Sequence, residues 1–202
     1  MDQFSYNTIQ SPSQGAYREK GSKFLGFAYP VESEEDIKIA IERLKKEYFD
    51  ARHHCFAWIL GPDGKRFRAF DDGEPNHSAG DPILGQIRSR QLTNVLVVVV
   101  RYFGGVKLGV GGLISAYRIA AQETLAAAQI LEKEISVPIT LSFTYPILPD
   151  IMRLVKEFEL SIVHQDFREA CVITLDIPLR VNQRVLERID LMKAMGSAII
   201  SS

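Results

Sequence analysis

The chain has 202 residues, 46% of them hydrophobic and 24% charged, with a formal net charge of −1 at pH 7. These values describe a globular protein able to bury a core, and they exclude nucleic-acid binding through bulk positive charge. Two distant cysteines, Cys55 and Cys171, exclude a disulfide scaffold and a CxxC zinc site and fit reduced thiols.

The N-terminal MDQFSYNTIQ has neither the basic start nor the apolar stretch of a signal peptide. The longest apolar run, Val95 to Val100, is too short to span a bilayer. The expectation is a soluble cytoplasmic protein with no membrane contact.

In chain order, Phe24–Val31 reads as a strand. Ser33 then suits an N-cap, with Glu34, Glu35 and Asp36 in the first turn, where the helix dipole favours anions. Ile37, Ala40, Ile41, Leu44 and Tyr48 follow at helical spacing. His54–Leu60 and Arg66–Phe70 pair as strands around GPDGK. Pro82 opens a helix through Arg88, capped by Asp81 or Ser78. Val95–Tyr102 is apolar on successive residues, as expected of a strand buried on both faces. Leu113–Leu131 is alanine-rich and helical.

The pattern changes near Ser136. A strand over Val137–Tyr145 precedes a helix opened by Pro149. Strands at Ser161–Phe167 and Ala170–Ile177 follow. A helix capped by Asn182 turns Val185, Leu186, Ile189 and Met192 inward and ends at Gly196. A strand over Ser197–Ser201 completes β-α-β-β-α-β, the ferredoxin-like order. The fold expected is α+β in two domains, residues 1–135 and 136–202.

Three segments carry candidate chemistry. In VVVVRYFGGVKLGVGGLISAY, strand, glycine-rich turn and helix follow one another, an arrangement suited to an anion. Gly104, Gly105, Gly109, Gly111 and Gly112 match neither the Walker A nor the G-x-G-x-x-G spacing. Arg101 and Lys107 supply charge-assisted donors. The loop lies in a segment, Pro82 to Gln122, that has no Asp or Glu but contains Arg88, Arg90, Arg101, Lys107 and Arg118. Lys65, Arg66 and Arg68 add cations nearby. Tyr102 and Phe103 suit stacking on a base and a place in the core equally well.

FDDGEPNHSAGDP holds Asp71, Asp72 and Glu74, oxygen ligands suited to a divalent cation, although the segment reads first as a solvated turn. DARHHCFAW holds Arg52, His53, His54 and Cys55. Adjacent residues of a strand alternate between faces, so these do not form one metal site; one buried and one exposed histidine is expected. No metal site and no Ser-His-Asp pattern is identified.

Taken together, ARHHCFAW, DDGEP with SAG-x-P, and VVVRYFGGVKLGVGGLISAY resemble the YigZ/Impact family over most of residues 15 to 130, and KGSKFLGFAYPV is similar to that family's opening strand. Asn76-His77-Ser78 stands where many members read Gly-Thr, with Ser78 keeping a hydroxyl. The resemblance implies an N-terminal domain shaped as an α/β sandwich like the second domain of small-subunit ribosomal protein five. It also implies a ferredoxin-like C-terminal domain like those of the translocation elongation factor. Eukaryotic members regulate translation by interfering with activation of a stress kinase, through an additional N-terminal domain not expected here.

Two functions follow as expectations. The favoured one is a non-enzymatic, translation-associated regulator that binds RNA, the ribosome or a protein partner and needs no cofactor. Its anion site comprises Arg101, Tyr102, Gly104, Gly105, Lys107, Gly109, Gly111, Gly112 and Arg118, with Arg52, His53, His54, Asp71, Asp72, Glu74 and Ser78 as secondary candidates. The alternative is an enzyme acting on a phosphate ester or nucleotide, with magnesium held by Asp71, Asp72 or Glu74, as the fold shared with GHMP kinases suggests.

Overall fold

The computed structural model describes residues 4–168 and 171–201, which form two compact units: residues 6–133, and residues 134–201 together with residues 4 and 5.

The larger unit contains β1 (Ser5–Ile9) apart from its first residue, β2 (Ser13–Glu19), β3 (Ser22–Pro30), α1 (Glu34–Glu47), β4 (His53–Leu60) and β5 (Arg66–Phe70). It continues with α2 (Gly80–Ser89), β6 (Val95–Tyr102), α3 (Gly109–Ala126) and β7 (Ile130–Glu134). Five strands form an antiparallel sheet in the order β2-β3-β6-β4-β5, and β1 pairs with β7.

Strand β6 occupies the centre, and its alternation divides the core. Val95, Val97 and Val99 pack with α2 and α3, while Leu96, Val98 and Val100 pack with Ile37 and Leu44 of α1. All six are fully buried, which explains a run with no polar residue. Ser33 caps α1 through a reciprocal box with Asp36, and the apolar face read at helical spacing is the buried one.

Three local readings are corrected. The helix expected over Leu113–Leu131 starts earlier and stops at Ala126, because β7 pairs with β1. Asp81 and Ser78 do not cap α2: the Asp81 carboxylate faces His77, and the Ser78 hydroxyl donates to the Pro75 carbonyl. The cap comes from Asp71, whose Oδ1 accepts from the Ala79 and Gly80 amides at 2.9 and 2.8 Å. Strands β1, β2 and β7 were not anticipated; β2 is mostly polar and only partly buried, and β7 is largely exposed.

The second unit comprises β8 (Ser136–Phe143), α4 (Leu148–Glu157), β9 (Ser161–Asp166), β10 (Cys171–Pro178), α5 (Leu179–Ala194) and β11 (Ile199–Ser201). Its antiparallel sheet runs β11-β8-β10-β9, the ferredoxin-like order. Cys171, Ile173, Leu175 and Ile177 alternate inward onto both helices. Ala170, the expected first residue of β10, lies outside the described residues. Asn182 is not a cap: α5 begins three residues earlier, after Pro178, and the Asn182 Oδ1 is buried without a partner. Leu186 is 37% exposed rather than inward, whereas Gly196 ends α5 with φ +95° as expected. Among the described residues, no helix is long and apolar enough to cross a membrane.

Candidate functional site

Residue 101 is where β6 stops being apolar. Continuing the β6 alternation, Arg101 faces the α2/α3 side, between its cross-strand neighbours Phe24 and His53. Its side chain is only 6% exposed. A buried guanidinium needs a counter-charge, and Glu74 supplies it: Arg101 Nη1 donates to Glu74 Oε1 at 2.6 Å. The same oxygen accepts from the Tyr117 hydroxyl of α3 at 2.8 Å. Arg101 Nη2 reaches the Ser22 hydroxyl at 3.5 Å, and that hydroxyl accepts from the Gly104 amide at 3.1 Å. The rings of Phe24 and Phe103 lie 5.4 and 5.7 Å from the guanidinium carbon. Arg101 Nε is buried and has no partner.

This network fixes the wall of a groove of about 310 Å³ lined by Glu74, Pro75, Arg101, Phe103, Lys107, Leu108, Gly109, Val110 and Leu113. One end of the groove is the start of α3. Leu108 occupies the N-cap position and offers no side-chain acceptor, and the first turn carries no acidic residue. The opening amides of α3 therefore present free donors and the positive end of the helix dipole.

The glycines serve different purposes. A Cβ on Gly104 would sit 1.9 Å from the Gly21 carbonyl carbon, so the backbone crossing requires glycine there. Gly105 and Gly109 have positive φ, while Gly111 and Gly112 lie in the first turn of α3.

The structure thus gathers Arg101, Lys107, Gly109 and Glu74 around one groove, with Gly104 bound into its wall. Other candidates lie elsewhere. Tyr102 points to the α1 side and donates to Asp50 at 2.7 Å, which pushes its hydroxyl pKa up to about 12. Arg118 is exposed on α3, about 13 Å along the helix from Gly109 at 1.5 Å per residue. Of the cations in the acid-free segment, Arg101 is buried and neutralised by Glu74, whereas the exposed Arg88 stacks on Phe67 at 4.3 Å and Arg90 donates to the Leu125 and Gln122 carbonyls at the end of α3, both keeping their charge.

The three carboxylates considered for magnesium face separate protein donors. Asp71 caps α2, Asp72 Oδ2 accepts from the His54 amide at 2.6 Å, and Glu74 holds Arg101 and Tyr117. Among the described residues, no group of three or more His, Cys, Asp or Glu side chains is placed to hold a metal ion. His53 is half-buried and its Nδ1 lies 2.8 Å from the Asp72 carbonyl; His54 is buried on the opposite face, and Arg52 is exposed. Burial lowers the His54 pKa below its ordinary value, partly opposed by Asp72. Cys55 is fully buried 3.3 Å from the Tyr117 hydroxyl, and burial pushes both pKa values well above their usual range, so this thiol is no nucleophile.

Sequence reasoning missed Ser22 and Tyr117 as polar members of the site. Tyr117 sits on the apolar stripe of α3 and looks like core. Its signal is the hydroxyl itself, which a buried tyrosine must satisfy.

Comparison with known proteins gives this arrangement a family. Residues 20–125 match the Impact N-terminal domain. IMPACT family member YigZ of Escherichia coli is 34% identical over 161 residues, covering 79% of each chain. IMPACT family member YvyE of Bacillus subtilis is 35% identical over 131 residues, 65% of this chain and 60% of its own. A crystal structure described as that of a hypothetical protein superposes with a TM-score of 0.77 at 27% identity, covering 98% of both chains. With the glycine-loop groove inside the matched segment and the similarity running well beyond it, the chain belongs to the Impact family.

Proposed function

We propose that this protein is a translation-associated regulator that binds RNA, using the groove at the start of α3 as its anion-recognition point. The observation that carries this reading is the uncapped α3 N-terminus set beside Lys107 in one concave surface. Family membership supports the link to translation, since the resemblance to Impact proteins implies regulators of that process. The ferredoxin-like second unit is consistent with it, as analogy of fold.

Binding of this kind draws its affinity from phosphate contacts and falls steeply with salt. The test measures binding of single-stranded and structured ribosomal RNA at low and moderate salt. Binding is expected at low salt, and Lys107→Ala is expected to reduce the slope of log K against log salt by about one. RNA binding absent at low salt overturns the reading. The magnesium-dependent enzyme reading has no comparable support, because each of its carboxylates is occupied by a protein donor.

A further inference from the structure

We infer that the groove takes one unstacked nucleotide, its phosphate on the opening amides of α3 and its base against Phe103. The inference rests on the RNA-binding reading and names the chemical group recognised.

Size is the first argument. At about 310 Å³ the groove falls at the lower end of small-molecule sites, room for a single nucleotide and too small for a duplex. Composition of the lining is the second. The lining combines Lys107, the paired Arg101 and Glu74 and the Gly109 backbone with the apolar side chains of Pro75, Phe103, Leu108, Val110 and Leu113. A bare phosphate leaves those apolar side chains unused, and an apolar ligand leaves the helix amides unpaired. A group that is anionic at one end and a flat ring at the other satisfies both.

Phe103 is built as a platform. It is 49% exposed, and the Arg101 guanidinium braces it at 5.7 Å. The arginine is held in turn by Glu74 and Ser22, so the ring's support is fixed before any ligand arrives. Arg101 itself lines the groove with a side chain 94% buried; its Nη atoms are engaged by Glu74 and Ser22, and Nε, buried beneath the wall, has no protein partner. Gly109 adds an open approach: no atom comes within 4 Å of where its Cβ would stand.

The same chemistry has two sources, a free nucleoside monophosphate or an unpaired residue of RNA. Isothermal titration of the full chain with adenosine 5′-monophosphate, adenosine, inorganic phosphate, a single-stranded RNA decamer and a blunt RNA duplex separates them. The monophosphate is expected to bind more tightly than adenosine or phosphate and to compete with the decamer, while the duplex binds at least tenfold more weakly. Phe103→Ala is expected to weaken the monophosphate and decamer about five- to hundredfold, with unchanged melting temperature. Phe103→Trp is expected to restore binding.

Monophosphate binding without decamer binding supports this site and overturns the RNA reading. Decamer binding that is indifferent to both the monophosphate and Phe103→Ala overturns the inference and leaves the RNA reading standing. Equal affinity for inorganic phosphate and the monophosphate also overturns it.

Discussion

Arg101 and Glu74 meet at 2.6 Å with side chains 6% and 5% exposed, joining the central strand of the larger unit to the turn before α2. A pair this deep stabilises the fold only while both members are present.

Arg101→Met is therefore expected to cost about 3–5 kcal/mol in urea unfolding, because it strands a buried carboxylate. Adding Glu74→Leu removes that charge and is expected to recover part of the loss. A shortfall of about 1–3 kcal/mol remains for the Tyr117 hydroxyl, which loses its acceptor. A double variant no more stable than Arg101→Met contradicts this account.

Asp71 closes the N-terminus of α2 from eight and nine residues away, and its Oδ2 accepts from the His77 amide at 2.9 Å. Asp71→Ala frees three amides at once. The expected cost is about 1–2 kcal/mol, with faster hydrogen exchange at Ala79 and Gly80 seen by NMR. Asp81→Ala, at the residue that sequence alone marks as the cap, is expected to change stability far less.

Burial lowers the His54 pKa in the folded protein below the 6.5 of a free histidine. The unfolded chain therefore binds the proton more readily between that lowered value and 6.5, and stability rises with pH across this window. Melting temperature is expected to fall as pH drops from 7.5 through 6, and His54→Gln to remove part of that dependence. The same slope in wild type and His54→Gln rules His54 out as its source.

Gly104 and His77 make opposite demands on side-chain size. Gly104→Ala forces a Cβ into the Gly21–Ser22 backbone and is expected to destabilise the larger unit by more than about 2 kcal/mol, as overpacking against main chain does. His77 has φ +63°, a region costly for a β-carbon. His77→Gly is expected to leave the melting temperature unchanged or raise it, though the exposed contact to Asp81 at 2.7 Å is lost.

Much of this was legible in the sequence where burial dictates residue type. The two-sided burial of β6, the Ser33 cap of α1 and the βαββαβ order all follow from apolar spacing and cap chemistry. The glycine turn was legible as the start of a site, and Lys107 and Gly109 are in the groove. What sequence could not convey was where each cation lies and what it touches. Arg101, Arg88 and Arg90 look alike in a string of letters, yet one is buried against Glu74, one covers a phenylalanine and one ties off a helix. The left-handed backbone at His77 is a constraint visible only in φ.

Because Arg101 is carried by β6, the groove combines the interior of the sheet with the exposed 103–107 loop. Amide exchange along β6 requires opening of the whole larger unit, whereas exchange in the loop requires only local fluctuation. A ligand that seats in the groove should thus leave a lopsided isotopic footprint, slowing deuterium uptake across 103–112 while β6, already at its limit, registers the event only as a rise in global stability.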